Sequence, residues 1–526
     1  MLNKIFGTAS KLTLTTIIAV GSMLSVGSFA QDNEYVEEVV SIGTRGKPRS
    51  VSSSPVPVDV LSAEDISKTG TDDLLMQLQG SIPSLNVHLQ PISDAASMIR
   101  PANLRGLSAD STLITTNGKR RHHASVIAFQ GGGVNDGSQG ADISVIPAIA
   151  LKRVEVLRDG ASAQYGSDAI AGVINFVLDD ISEGGSLSYK MGEYTEGDGA
   201  TTTIAGKYGM PLGQDGFVTT SFQIRQADDT SRSAQRPDAA ALIAAGNSAV
   251  ANPAQIWGAP KIDDDVTFFM NSGVTNSDGS ESYMFGNYSE RDVDGGFYYR
   301  NPDGRSGVFT IGDYRAVGNV DGTCAYGTGA SGQVDPSDYA TRDLIMADPS
   351  CFLMNQIAPG GYTPRFTGNI TDTSLTIGRR GDISNGMLSG YSYDLSGSVG
   401  RNEADFGLNN TVNPSMGPDT PRNFDTGSYI ELEKTFNFDL TKQMDSMTIA
   451  YGAEWREETF EVISGEEASW KAGKYALQGF NVGSHGFAGF SPDSQGSFTR
   501  RSYGLYADVD CLLYTSDAAD DSLRVD

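Results

Sequence analysis

The sequence contains 526 residues, which is enough for more than one domain with a sizeable buried core. Its formal net charge of −27 argues against a nucleic-acid partner, because the phosphates would be repelled. The 62 glycines, together with 21 tyrosines and 22 phenylalanines against 3 tryptophans, are typical of aromatic-bearing strands joined by tight turns. After residue 30 no apolar run reaches the roughly 18 residues of a membrane-spanning helix, so we expect no such helix in the mature protein.

Residues 1–30 have the pattern of a signal peptide. Lys4 and Lys11 give a positive start, an apolar stretch follows, and Ser28-Phe29-Ala30 forms a small-x-small cleavage site. A buried N-terminal helix is the alternative, and the polar, acidic run after Ala30 disfavours it. Export predicts an oxidising compartment.

Residues 31–54 are polar and contain Gly43, Gly46 and Pro48, which predicts a flexible arm. Residues 55–180 mix short helices with apolar strands and predict a small α/β domain.

Within that domain, Ser62-Ala63-Glu64-Asp65 opens a helix with a capping-box pattern, and Gly70 is expected to close it. Thr71 is expected to cap a second helix, which stops at Gly80 and Pro83. The apolar face of that helix consists of Leu74, Leu75 and Leu78. Three strands are predicted at 112–116, 153–157 and 173–178, the first running into an Asn117-Gly118 turn.

Residues 181–510 predict an all-β region. Apolar and polar residues alternate over 391–399, 430–440, 447–456 and 503–509. Strands of about ten residues with one apolar side are typical of a barrel that has lipid outside and an aqueous lumen. A soluble β-sandwich also alternates, but it seldom sustains such long strands across such uneven loops. The segments 300–370 and 461–497 lack a stable pattern and predict extracellular loops.

Three motifs carry a family resemblance. Residues 37–45 read EEVVSIGTR, residues 103–120 contain NLRGL, STLI and NGKR, and residues 153–175 read RVEVLRDGASAQYGSDAIAGVIN. They resemble the TonB box and the plug domain of the TonB-dependent outer-membrane receptors, and the longest motif is the most specific. The resemblance runs from about Glu37 to Asp510. One departure is Thr115-Thr116, where the family carries aliphatic residues, and it predicts reduced packing there.

The resemblance implies a mainly β fold: a transmembrane antiparallel β-barrel, incomplete here over 181–510, with the N-terminal α/β plug domain (55–180) in its lumen. It implies the cell outer membrane as the location. The implied partners are outer-membrane lipid, the TonB energy transducer with ExbB and ExbD, and a small ligand such as an iron chelate. In this family the transducer pairs with the TonB box and remodels the plug with energy from the proton gradient.

The implied site residues fall into two groups. The TonB-box residues are Glu37, Glu38, Val39, Val40, Ser41 and Ile42. The plug-motif residues are Arg105, Gly106, Asn117, Gly118, Arg153, Glu155, Arg158, Gly160, Tyr165, Gly166, Gly172 and Asn175. In relatives, plug arginines matching Arg105 and Arg158 pair with barrel acids. Glu454, on the predicted lumen side of its strand, is the candidate partner, with Arg456 or water as its alternative contacts.

The remaining sequence motifs give little indication of a catalytic or cofactor-binding site. Gly327 to Gly332 matches a dinucleotide fingerprint literally, but no strand precedes it and no helix follows. Neither a nucleophile elbow nor a H-E-x-x-H motif is present, so we predict no catalytic residue, cofactor or metal, and no enzyme. His122 and His123 adjoin two arginines and could contact an anionic or metal-chelate substrate, although solvated side chains are the outcome we expect.

Two cysteines predict a covalent link. Cys324 and Cys351 lie in one expected extracellular loop of an exported protein, which favours a disulfide over two free thiols.

The favoured function is TonB-dependent uptake of a bulky, scarce ligand, most simply a ferric siderophore. Uptake of an oligosaccharide, cobalamin or a peptide by the same mechanism is the alternative. A passive porin or surface barrel is a different class, and the plug and TonB-box motifs argue against it because a porin needs an open lumen.

The end of the sequence changes character. Residues 511–526 drop the alternation, about ten strands precede them, and the family has about 22. We therefore expect a non-native tail resembling translated sequencing adapter, and an open sheet with unpaired edges.

Overall fold

The computed structural model of the protein describes residues 39–42, 49–50, 57–68, 70–71, 73–87, 92, 94–100, 102–128, 133–327, 333–444 and 447–511. The predicted signal peptide, the predicted TonB-box residues Glu37 and Glu38, and residues 512–526 lie outside this described part.

The N-terminal part is a small α/β unit. Its elements are β1 (Val39–Val40), β2 (Arg49–Ser50), β3 (Val58–Ser62), α1 (Ala63–Ser67), α2 (Leu74–Ser81), β4 (Leu85–Val87), β5 (Ala102–Leu104), β6 (Thr112–Thr116), β7 (Lys119–Arg120), β8 (Leu151–Leu157), α3 (Ser162–Tyr165) and β9 (Gly172–Leu178). Five of these strands form a mixed sheet in the order β3-β8-β9-β6-β7, in which β6 and β9 are parallel. All three strands predicted from the sequence are present in this sheet.

The first two helices begin at side-chain caps. Ser62 caps α1 through its Oγ, as the capping-box pattern predicts, but the helix ends before Gly70. The second helix begins later than expected, because Asp73 rather than Thr71 is its N-cap. The short Asp73 carboxylate accepts a first-turn backbone N–H at 3.2 Å. The three predicted leucines are buried.

Ten long strands follow, with short elements in the loops between them. In chain order the elements are β10 (Gly185–Gly192), β11 (Thr201–Leu212), β12 (Gly216–Ala227), α4 (Pro237–Ala244), β13 (Lys261–Thr275), β14 (Glu281–Gly295), β15 (Thr310–Ile311), β16 (Tyr314–Arg315), β17 (Gly318–Asn319), α5 (Tyr339–Ala347), β18 (Cys351–Phe352), β19 (Arg365–Asp382), β20 (Ser392–Asn409), β21 (Phe424–Gln443), β22 (Met447–Ser464), α6 (Glu467–Trp470) and β23 (Gly496–Cys511). The all-β prediction missed the three loop helices α4, α5 and α6.

The long strands form one antiparallel sheet in the order β10-β11-β12-β13-β14-β19-β20-β21-β22-β23. Its edges are β10 and β23, which do not pair with each other in the described part of the chain. The mainly β fold and the open, ten-stranded sheet therefore agree with the prediction.

Side chains alternate across this sheet as the sequence predicts. On β21, Phe436 and Phe438 are exposed, while Glu431, Glu433 and Thr435 are buried. Apolar side chains thus point outward and polar ones toward the plug, the reverse of a soluble domain but the expected arrangement for a barrel wall in lipid. The plug covers the polar face, and two barrel phenylalanines on β13 and β14 join its apolar core.

Loop length differs between the two ends of the sheet. The connections 228–260, 296–364, 410–423 and 465–495 lie at one end, and short ones such as 213–215 and 276–280 lie at the other. The predicted extracellular loops coincide with two of the long connections. Among the described residues, no helix has both the length and the apolar character needed to cross a membrane.

Candidate functional site

The N-terminal arm is packed onto the plug where the structure describes it. Val40 and Ile42 are 0% and 2% exposed and contact apolar side chains of β3, β6, β8 and β9. Strand β1 also pairs with β2. Residues 39–42 thus pack through two apolar side chains onto a matching apolar surface, and the flexibility of the arm stays a prediction.

A buried carboxylate ties the arm to the plug. Glu155 on β8 accepts hydrogen bonds from the Ser41 hydroxyl at 2.8 Å and from Asn175 Nδ2 at 3.0 Å. Arg153 Nη2 lies 2.7 Å from Glu155 Oε1 and compensates its charge. A buried carboxylate persists only when it is paired and hydrogen-bonded in this way. Three motif residues are thus brought together around Ser41, a residue of the predicted TonB box.

The same network explains the departure at position 115. The Asn175 side-chain oxygen accepts from Thr115 Oγ1 at 2.9 Å and from the Gly118 backbone N at 2.8 Å. Thr115 is buried and hydrogen-bonded, so the expected loss of packing is wrong at this position. The hydroxyl of Thr116 is buried with no hydrogen-bond partner in the described part of the chain.

The predicted turn after β6 connects the plug to the barrel. Asn117 and Gly118 have φ of 49° and 78°, the left-handed geometry that an Asn-Gly turn requires. The Asn117 side chain accepts from the Leu178 backbone N at 2.9 Å and donates to Asn271 of β13 at 3.3 Å.

Glycine is required where the motif approaches β8. Gly172 has φ of +151°, and a Cβ there would lie 2.1 Å from the Leu157 carbonyl oxygen. Gly106 and Gly166 also have positive φ, of 73° and 92°. A Cβ at Gly160 would lie 3.3 Å from the nearest backbone oxygen, so that position is only tight.

The predicted pairing of Glu454 with plug arginines is wrong. Arg158 pairs with Asp59 on the neighbouring strand β3, and Arg105 Nη1 lies 3.7 Å from Asp159. Glu454 instead accepts from Asn437 Nδ2 at 3.0 Å. The arginines find nearer carboxylates within the plug itself.

The plug and the barrel are joined by a charged segment, residues 119–123, for which the sequence indicated no contact with the barrel. Lys119 Nζ lies 3.0 Å from Asp394 of β20. Arg121 Nη2 and His122 Nε2 reach the two oxygens of Asp372 on β19 at 2.6 and 2.9 Å. His122 is buried, so the expectation of solvated side chains is wrong. We call these contacts the plug–barrel seam.

Further ion pairs continue the seam. Asp168 pairs with Arg120 of the plug and lies 3.3 Å from Arg456 of β22. Burial opposes ionisation of Asp168, but the two arginines outweigh it and hold its pKa below the ordinary value. Arg120 also donates to the Tyr165 carbonyl at 3.2 Å. The contact between plug and barrel thus has the opposite polarity to the predicted one: the barrel contributes Arg456, two residues after Glu454, and the plug contributes the carboxylate of Asp168.

A histidine sits among acids at the same interface. His123 Nδ1 lies 3.3 Å from Glu433 and 3.8 Å from Glu458. Burial would lower the pKa of His123, but the hydrogen bond and charge of Glu433 outweigh it, so the pKa lies above its usual value.

This cluster has the ligand types of a metal site, since the donor atoms of its three residues lie within 4.8 Å of one another. Glu458, however, already accepts two hydrogen bonds from Arg500, at 2.9 and 3.0 Å. Arg456 lies 3.6 Å from Glu458 as well. The charges are thus balanced by arginines, and the group acts chemically as an ion-pair network.

The long loops form their own packed layer. Cys324 and Cys351 are joined by a disulfide across 27 residues, as the sequence predicts. Tyr475 and Phe480 pack with Phe352 in a buried aromatic cluster. Most residues of the dinucleotide-like segment 327–332 lie outside the described part of the chain.

Comparison with known proteins agrees with this geometry. The sequence model of the family described as "TonB-dependent Receptor Plug Domain" matches residues 50–173. The chain carries the plug domain of a TonB-dependent receptor. The family resemblance seen in the plug motifs is therefore confirmed, and Glu155 lies within the matched residues.

Two curated relatives match about a third of the chain. The "Iron-regulated outer membrane virulence protein" of Vibrio cholerae serotype O1 is 29% identical over 161 residues, which is 30% of this chain and 23% of that protein. The "Ferric enterobactin receptor PirA" of Pseudomonas aeruginosa is 28% identical over 175 residues, 32% of this chain and 23% of the relative.

Solved structures share the fold over most of the chain. A variant of the ferric enterobactin receptor PfeA of Pseudomonas aeruginosa superposes with a TM-score of 0.53 at 15% identity, covering 88% of this chain and 56% of that one. The siderophore receptor PirA of Acinetobacter baumannii gives a TM-score of 0.50 at 16% identity, covering 87% and 54%. The chain thus spans little more than half the length of these receptors.

Proposed function

We propose that this protein is a TonB-dependent receptor of the outer membrane that imports a bulky, scarce ligand, with a ferric siderophore as the first candidate. The observation that carries the proposal is the plug–barrel seam. Buried ion pairs such as Arg121–Asp372 hold the plug against the polar face of the sheet, and leaving one such charge buried without its partner costs about 3–5 kcal/mol. A ligand that crosses here needs the plug to be moved by an energy source, which disfavours a passive porin.

The ligand class rests on the named relatives. Proteins called ferric enterobactin receptors, and one called iron-regulated, resemble this chain in sequence or fold. They favour an iron chelate over an oligosaccharide, cobalamin or a peptide. The protein is a transporter in this proposal, and no catalytic step is assigned to it.

The TonB transducer is the proposed energy source, and the arm is its proposed binding segment. Strand β1 already offers an extended backbone, which a partner sheet recognises by main-chain hydrogen bonds. To reach a partner, the arm has to leave the apolar surface of the plug and release the hydrogen bonds from Ser41 to Glu155.

The test is uptake of a radiolabelled ferric siderophore by cells that express Val40→Pro. Proline removes the backbone donor and fixes φ, so uptake is expected to fall to the level of a strain lacking the transducer while surface binding stays intact. Val40→Ala keeps the donor and serves as the matched control. Normal uptake by the proline variant would contradict the role of the arm, and uptake that needs no transducer would support a passive pore. Growth on a glycan but not on an iron chelate would point to the alternative substrate class.

A further inference from the structure

The sequence contains the dipeptide Asn-Gly twice, at Asn117-Gly118 and at Asn385-Gly386. This dipeptide is chemically labile, because the backbone nitrogen of the glycine can attack the side-chain carbonyl carbon of the asparagine. Glycine has no side chain that hinders this approach. The reaction therefore depends on whether the fold leaves both groups free to meet, and the two copies form a matched pair within one protein.

In the first copy, both reacting groups are held by hydrogen bonds. The backbone nitrogen of Gly118, which would have to attack, donates to Asn175 Oδ1 at 2.8 Å. The Asn117 side chain accepts from the Leu178 backbone N at 2.9 Å and donates to Asn271 Oδ1 at 3.3 Å. Neither group can turn toward the other without breaking these contacts, so the fold protects this copy.

The second copy lies in the turn between β19 and β20, at the end of the sheet that has the short connections. Asn385 and Gly386 are both exposed. Within the described residues, the backbone nitrogen of Gly386 donates no hydrogen bond, and the Asn385 side chain makes only the one from Nδ2 to Ser384 Oγ, at 3.3 Å. Both reacting groups are thus open to water and to each other.

The frame of this turn does not depend on Asn385. The Ile383 backbone N donates to the Tyr391 carbonyl at 2.8 Å, and β19 and β20 stay paired as far as Asp382 and Ser392. The backbone at Asn385 can therefore rotate into the reactive geometry while the barrel strands keep their register.

We propose that Asn385 is a site of spontaneous deamidation, with water as the reactant, and that Asn117 is protected from the same reaction. The Gly386 nitrogen bonds to Asn385 Cγ, the bond from Cγ to Nδ2 breaks, and Nδ2 leaves as ammonia with the proton lost from the Gly386 nitrogen. Water then opens the cyclic imide at either of its carbonyl carbons. Breaking the new bond to Cγ gives aspartate, and breaking the original peptide bond gives isoaspartate.

Either product is a carboxylic acid that ionises, so the turn exchanges a neutral amide for a negative charge. The hydrogen bonds that close the turn and the pairing of β19 with β20 remain, so the barrel is expected to keep its fold. The receptor should therefore accumulate acidic variants as it ages. The reaction does not depend on the ligand that the protein imports.

The test incubates the purified full chain in detergent at mildly alkaline pH, which favours loss of the backbone N–H proton, and follows both copies by peptide mass spectrometry. Isoaspartate is measured by enzymatic methylation, because this product forms only through the cyclic imide. We expect Asn385 to react more than about tenfold faster than Asn117, since the hydrogen bonds of the first copy must break before it can react. Asn385→Gln is expected to remove the isoaspartate signal of the turn, because the longer side chain closes the larger ring far less readily.

The matched control is the same protein unfolded in guanidinium chloride, in which the residues around each copy act without the fold. The two rates are then expected to become similar, because Asn117 is released from its hydrogen bonds. Equal rates for Asn385 and Asn117 in the folded protein would overturn the inference, as would an absence of isoaspartate at Asn385 while the unfolded chain forms it. A rate difference of the same size in folded and unfolded protein would also overturn it, since the local sequence alone would then set the rates.

Discussion

Replacing Asp372 with Asn is expected to loosen the plug from the barrel. Asp372 is 1% exposed, and its two oxygens accept from Arg121, His122, Asn287 and Asn402 at 2.6 to 3.0 Å. The amide keeps the size of the side chain but removes the charge and turns one acceptor into a donor that faces other donors. The Arg121 side chain, only 3% exposed, is then left as a buried charge without a counter-ion.

The magnitude follows from that stranded charge. Breaking a buried pair by removing one partner costs about 3–5 kcal/mol, more than the roughly 1 kcal/mol of a neutral hydrogen bond. With a urea dependence of about 2 kcal/mol per M, the midpoint for unfolding of the plug should fall by roughly 2 M. The strands of the barrel should lose less, because their backbone pairing is unchanged.

Hydrogen exchange measured by mass spectrometry along a urea titration tests this, since peptides from β6 and β9 report the plug and peptides from β20 and β21 report the barrel. Asp343→Asn is the control: that carboxylate is 61% exposed, so its loss should cost under about 0.5 kcal/mol. Adding Arg121→Met to Asp372→Asn should restore part of the protection, because it removes the stranded charge. Unchanged protection of β6 and β9 in the single variant would refute the reasoning.

Three further predictions concern the plug, the loops and pH. Gly172→Ala should destabilise the plug by about 3 kcal/mol or more, because its Cβ would lie 2.1 Å from a backbone oxygen at φ of +151°. Gly70→Ala is the control, because Gly70 has open space around it. Equal thermal unfolding midpoints for the two variants would count against the argument. Reduction of Cys324–Cys351 should cost the loop layer roughly 3 kcal/mol, seen as faster proteolysis of the loops, whereas thiol labelling of both cysteines without prior reduction would show that no bridge forms. The pKa of His123 is raised in the folded protein, so its contribution to stability is fully present below its unfolded pKa of about 6.5 and is lost as the pH rises through the higher folded value. Protection of the plug amides from hydrogen exchange should therefore weaken on the alkaline side, and His123→Gln should flatten that pH dependence. An identical pH profile for wild type and variant would contradict this prediction.

Much of the fold could be predicted from local sequence. The alternation on β21 and β22 follows from period-two geometry between lipid and polar lumen, and each strand carries it alone. The Asn117-Gly118 turn and the Ser62 cap likewise depend on residues a few positions apart. The plug motif around Arg153 and Gly172 is long enough to identify the family. These features need no distant contact, so the sequence by itself determined them.

Tertiary structure decided the electrostatics. Arg121 and Asp372 are separated by 251 positions, and nothing in the local pattern of either residue indicates the other. The sequence therefore pointed to Glu454 as the partner of the plug arginines, when nearer acids satisfied them and Arg456 carried the contact to Asp168. Thr115 similarly appeared to weaken packing until the fold placed Asn175 beside it. A buried charge pairs with the nearest group of opposite charge, and which group is nearest depends on how the plug packs against the barrel strands.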